Sequence, residues 1–103
     1  MNKVLFTGRL TKDPELRMGG QDNGVAVVHF NLAINRKFRK EGHPNADFAN
    51  MVAFGKIAEF VEKNFKQGQK IEVECRFQSG SYKDKDGKTV YTNVFVCDNV
   101  DFG

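Results

Sequence analysis

The chain has 103 residues, 40% hydrophobic and 28% charged, which suits one domain around one core. Its formal net charge of +3 is mildly basic, compatible with a polyanionic partner but not diagnostic of one. No apolar run reaches the roughly 20 residues of a membrane helix, and the start Met1-Asn2-Lys3-Val4-Leu5-Phe6 lacks a signal-peptide pattern, so a soluble, cytoplasmic protein with no membrane association is expected.

Residues 2–10 read as a first strand, ending near Gly8-Arg9. Residues 11–15 read as a turn, because Pro14 pushes Asp13 away from helix, and residues 18–24 as a polar, glycine-rich loop. Residues 25–35 form the clearest strand: Val28, Phe30, Leu32 and Ile34 alternate with Val27, His29, Asn31 and Ala33. A basic loop follows over residues 36–44, then a third strand over residues 47–54.

Residues 56–66 carry helical periodicity, with Ile57, Val61 and Phe65 in line and Ala58 and Phe60 widening the stripe. Gly68 sits where a left-handed cap would end that helix. Residues 70–78 read as a fourth strand with Ile71, Val73, Cys75 and Phe77 inward. Residues 81–89 read as a polar hairpin loop around the tight-turn pair Asp86-Gly87, and residues 90–102 as a fifth strand. Three strands, a helix and two strands is the order of an all-β, five-stranded Greek-key barrel of the oligonucleotide/oligosaccharide-binding (OB) type, with its helix between strands 3 and 4.

Ten Phe and two Tyr with no Trp is an uneven aromatic set, and it raises the question of whether some face solvent. Arg36, Lys37, Arg39 and Lys40 flank Phe38 just past a strand end, a pattern that holds phosphates while the ring stacks on a base. The plainer alternative is a solvated loop with Phe38 folded onto the barrel. A second cluster runs from Tyr82 to Tyr91 with Lys83, Lys85 and Lys88 at its tip, where Asp84 and Asp86 offset part of the charge; a mobile polar loop explains it equally well. On the third strand Phe48 and Phe54 share parity with Asn50 and Val52, and periodicity alone buries that bulkier face.

No nucleophile–base arrangement or phosphate-binding glycine loop is present, and His29 and His43 are too scattered for a zinc site, so neither enzymatic activity nor a metal or other cofactor is expected. Cys75 and Cys97 are expected buried and reduced, with pairing between them as the alternative, since both fall on candidate strands.

Three blocks of sequence carry a resemblance. They are Asn2-Lys3-Val4 with Gly8-Arg9-Leu10-Thr11-Lys12-Asp13-Pro14-Glu15-Leu16-Arg17; Val28-His29-Phe30-Asn31-Leu32-Ala33-Ile34-Asn35-Arg36; and Ala46-Asp47-Phe48 with Val52-Ala53-Phe54-Gly55-Lys56-Ile57-Ala58-Glu59. In this order and spacing the chain, from Asn2 to Phe102, resembles the DNA-binding domain of the bacterial single-stranded DNA-binding protein family.

The resemblance implies sequence-independent binding and protection of single-stranded DNA in replication, recombination and repair. It implies stacking by Phe38, Phe48, Phe54 and Tyr82, and so turns Phe48 and Phe54 from core to DNA face. Phosphate contacts fall to Arg36, Lys37, Arg39, Lys40 and Lys56, with Lys83 and Lys85 beside Tyr82. It implies a homotetramer, with a dimer as the alternative. Family members continue into a linker and an acidic tip that recruits replication and repair enzymes; the chain as given stops at Gly103, so tail-mediated partners are not expected from it. Two other readings stay open: a dimeric protein like the primosomal replication proteins acting in replication restart, and an OB module that binds protein.

Overall fold

The computed structural model describes residues 1–18, 25–38, 41–42 and 44–103. The strands are β1 (Val4–Leu10), β2 (Glu15–Met18), β3 (Ala26–Asn35), β4 (Ala46–Phe54), β5 (Lys70–Lys83) and β6 (Thr89–Phe102), with helix α1 (Gly55–Asn64) between β4 and β5. Hydrogen bonding runs β1-β5-β6-β4-β3, and β3 returns to β1 through Arg9↔Ala33 and Leu10↔Leu32. Five strands therefore close a ring, and closure removes most of the exposed edges an open sheet would carry. Among the described residues only β4 and β6 pair in parallel, at Met51↔Phe95 and Val52↔Val96. This is the expected OB-type barrel.

Gly8 allows the closure. A Cβ there would lie 2.7 Å from the Ala33 carbonyl oxygen, so any larger residue forces β1 and β3 apart where they meet.

The core fills from alternating positions. Val28, Phe30 and Leu32 of β3, Ala49, Met51 and Ala53 of β4, and Ile71, Val73 and Cys75 of β5 are buried with Leu10, Ala58, Val61 and Phe65. Helix α1 packs against β2, β3, β4 and β6 and closes one end of the barrel. It ends earlier than periodicity indicates: Phe65 is extended, although its ring is fully buried and stacks on Phe102 at 5.1 Å. Gly68 does adopt a left-handed φ of 83°, but in the separate turn leading to β5, where its N–H donates to the Leu10 carbonyl.

Several expectations from the sequence need correction. Residues 11–15 are not wholly a turn, since Glu15 opens β2, which pairs along β3 as Glu15↔His29 and Leu16↔Val28. That pairing supplies the hydrogen bonds that local propensity does not. The hairpin after Gln78 is not a loop from residue 81; β5 and β6 stay paired out to Lys83↔Thr89. Phe77 keeps the inward side of Cys75, with its partner Phe95, but is 43% exposed rather than buried, because the two strands leave the barrel as a free ribbon just beyond Cys75. It rests edge-on against Phe95 at 5.7 Å.

A β-bulge sits at that departure point. Glu74 pairs with Asn99 and Cys75 with Cys97, so Asp98 is skipped. Before the bulge Val100 faces inward; after it Cys97 and Phe95 do, and Val96 and Val94 turn to the outer side.

Candidate nucleic-acid interface

Strand register decides which side chains share the outer face. Directly paired residues lie on one side of a sheet. On β3 and β4 the outer pairs are Val27↔Phe54, His29↔Val52, Asn31↔Asn50 and Ala33↔Phe48. Val52 continues sideways to Val96, and β6 continues to β5 through Val96↔Arg76, Val94↔Gln78, Thr92↔Gly80 and Val90↔Tyr82. Phe48, Phe54 and Tyr82 therefore stand on one continuous face.

Phe48 is 68% exposed, Phe54 44% and Tyr82 56%. Burial on β4 is thus the reverse of what side-chain bulk alone indicates: the small residues Ala49 and Ala53 face in with Met51, and the two phenylalanines face out. Val27, Val52 and Val96, with Val94 against them, form a small apolar cluster on this outer side and stiffen the platform between the aromatics.

The cations are placed unevenly. Phe38 is 85% exposed beyond the end of β3, with the Lys37 ammonium 5.9 Å from its ring centroid. Arg36 is not free: its Nε and Nη2 donate to the two Asp47 carboxylate oxygens at 3.0 and 2.8 Å. That forked pair holds the Asp47 carboxyl below its ordinary range, chiefly through the hydrogen bond from Arg36, and ties the basic loop to the start of β4. Arg39 and Lys40 lie outside the described residues.

Lys56 is exposed in the first turn of α1, two residues after Phe54, beside Asn99 and Val100. Lys83 ends β5 next to Tyr82, and Lys85 lies in the exposed tip. That tip is an ordered turn: the Asp84 carboxylate accepts from the Asp86 and Lys88 amides at 2.9 Å each, and Gly87 takes a φ of 77°. The tip thus projects its lysines from a fixed ribbon.

Sequence reasoning missed the centre of the face. Beside Asn50, which lies between Phe48 and Phe54 along β4, opens a groove of about 420 Å³ lined by Thr11, Lys12, Glu15, His29, Asn31 and Asn50 among others. The Thr11 hydroxyl donates to Asn31 Oδ1 at 3.2 Å, and Asn31 Nδ2 donates to Asn50 Oδ1 at 2.9 Å. Alternation put Asn31 on the mixed face of its strand but Asn50 on the parity that bulk alone buries, and only register shows the two opposite each other.

Cys75 and Cys97 are buried, free and directly paired in register. Burial raises both thiols, Cys75 to about 11 and Cys97 to about 12, so neither is a nucleophile near neutral pH. Among the described residues no cluster of three or more His, Cys, Asp or Glu could hold a metal ion, and no helix is long and apolar enough to cross a membrane.

A closed five-stranded barrel with one helix, whose outer face sets exposed aromatics around a polar groove, defines an OB-type protein. Residues 1–103 match the single-strand binding protein family, and the chain belongs to that family. The Single-stranded DNA-binding protein of Fusobacterium nucleatum is 43% identical, over 100% of this chain and 67% of its own length. That of Oceanobacillus iheyensis is 43% identical over 99% of this chain and 63% of its own length, and that of Bacillus cereus 45% identical over 99% and 59%. The chain therefore spans about three fifths to two thirds of the length of these relatives.

Proposed function

We propose that this chain acts as one domain that binds and protects single-stranded DNA during replication, recombination and repair, in the cytoplasm and without catalysis. The observation that carries the reading is the common face of Phe48, Phe54 and Tyr82. Planar rings on a rigid sheet stack on any base, which gives affinity with little dependence on sequence. Phe38 extends the track beyond the end of β3, and Lys37, Lys56, Lys83 and Lys85, with Arg39 and Lys40, hold phosphates beside it. Arg36 orders the loop through Asp47 and contributes to the positive field. Relatives named Single-stranded DNA-binding protein support the assignment.

The assembly we propose is a homotetramer. Among the described residues, Val4 to Gly8 of β1 pair only with β5, while β3 engages β1 only at Arg9 and Leu10. This leaves one side of β1 open to a second copy, next to the exposed Leu5. A solution mass of four chains supports the tetramer; two chains would support the dimeric arrangement instead.

The direct test is a titration of oligo-dT and duplex DNA over a range of salt. Binding to oligo-dT should exceed duplex binding and weaken as salt rises, with log K falling by about 0.7 per log unit of salt for each phosphate neutralised. Equal affinity for duplex and single strand would overturn the proposal.

A further inference from the structure

The outer face between the aromatic rings carries a histidine. Phe48 and Phe54 are six residues apart along β4, roughly 20 Å at about 3.3 Å per residue. His29 of β3 stands opposite Val52, which places it roughly 7 Å along the sheet from Phe54 and roughly 13 Å from Phe48. It is exposed and lines the groove with Lys12 and Glu15. A strand stacked on both rings carries several phosphates past this stretch. The charged neighbours of His29 are mostly engaged. Its direct partner on β2 is Glu15, whose carboxylate lies 3.7 Å from the Lys12 ammonium and 3.5 Å from the Arg17 guanidinium. β4 presents Phe54, Val52, Asn50 and Phe48 on this side, none of them titratable. Beyond Val52 the row runs through Val96 to Arg76, which donates to Asp98 at 2.7 Å. β1 meets β3 farther along, where Arg9 stands opposite Ala33 and donates to the Gly68 carbonyl at 3.0 Å. Helix α1 joins β3 through the core cluster, on the opposite side of the strand from His29.

We propose that His29 is a proton-dependent phosphate contact, so that the chain holds single-stranded DNA more tightly as pH falls. The inference rests on the single-strand-binding reading and adds a regulation to it. Histidine is the side chain that ordinarily gains its charge between about pH 8 and about pH 5. Protonated, the imidazole offers two N–H donors and a full positive charge to a phosphate oxygen; neutral, it offers one donor and no charge. Glu15 is the one carboxylate in register with His29, and Lys12 and Arg17 both lie against it, so the new charge is not cancelled locally. The cluster of Lys12, Arg17 and Glu15 carries one net positive charge, and protonation of His29 doubles it. The rings hold bases at any pH, while the backbone contact between them strengthens with acid.

The test titrates labelled oligo-dT by fluorescence anisotropy over a range of salt, at about pH 8 and about pH 5.5. Thymine neither gains nor loses a proton between them. The proteins are wild type, His29→Gln and His29→Lys. On acidification the wild-type chain should gain roughly two- to fivefold in affinity at low salt, the range of one exposed ion pair. Its salt slope should steepen by about 0.7 for the added phosphate contact. His29→Gln should lose that part of the acid response, and His29→Lys should show the steeper slope already at the higher pH. Every other group that changes charge over this range does so in all three proteins, so the differences isolate position 29. Melting temperatures should stay within about 4 °C of wild type, as for other exposed substitutions. An acid response equal in wild type and His29→Gln, or a His29→Lys slope no steeper than that of wild type at the higher pH, overturns the His29 reading alone. Failure of the wild-type chain to hold oligo-dT at either pH overturns the single-strand-binding reading beneath it.

Discussion

Replacing Phe48 by alanine separates a binding role from a packing role at the residue where the two were most in conflict. Phe48 is 68% exposed, so about a third of its ring is covered by protein. With roughly 200 Å² for the whole side chain, that is about 60 Å² of covered surface, worth at most about 1.5 kcal/mol of folding free energy. The melting temperature should fall by no more than about 10 °C. A lost base stack costs about 1–3 kcal/mol, so the dissociation constant for oligo-dT should rise roughly 5- to 150-fold. The contrast is Phe65→Ala, which empties a fully buried ring position and should cost about 3–5 kcal/mol of stability. Anisotropy titration at fixed salt reads the binding change, and thermal melting the stability. If Phe48→Ala keeps its oligo-dT affinity within twofold while remaining folded, base stacking at Phe48 is refuted.

Four further outcomes follow from the geometry. Asp47→Asn removes the carboxylate that holds Arg36, so oligo-dT binding should tighten and the salt slope steepen by about 0.7 as one more cation becomes available. The same pair has a pH signature: because the folded Asp47 carboxyl lies below its ordinary value of 3.8, its stabilising contribution is complete above that pH and disappears as pH falls further, which acid titration of wild type against Asp47→Asn would show. Gly8→Ala drives a Cβ against the Ala33 carbonyl oxygen and should cost about 1–3 kcal/mol in urea melts; an unchanged midpoint would contradict the close β1–β3 approach. Finally, the unfolded thiols lose protons near 9.0 whereas folded Cys75 and Cys97 hold theirs to about 11 and 12. The unfolded state thus sheds protons first, and stability should decline as pH rises above 9.0, less steeply in a Cys75→Ala/Cys97→Ala variant measured in parallel.

The pairing of cysteines at one register position, the exposure of Phe77 and the run of β5 and β6 past Ser81 share a cause. All three depend on where two strands distant in sequence leave the barrel, and the bulge at Asp98 sets that place. A polar stretch such as residues 78–83 reads as loop because it buries nothing, yet cross-strand hydrogen bonds keep it a ribbon. Short β2 was hidden for a similar reason, since its partner β3 supplies its order.

By itself the sequence determined the barrel. Apolar alternation in β3 and β5, helical spacing at Ile57, Val61 and Phe65, and glycine and proline at the turns are local signals, and their order admits few topologies. Residue blocks also carried the family, which the match over residues 1–103 shows. Only the tertiary structure decided the face. Whether Phe48 and Phe54 point inward is set by the closed barrel, whose core takes Ala49, Met51 and Ala53 from β4, and alternation cannot state which parity wins when both carry apolar residues. Likewise Asn31 meets Asn50, and Tyr82 joins the side of Phe48, only through pairing between strands far apart in the chain.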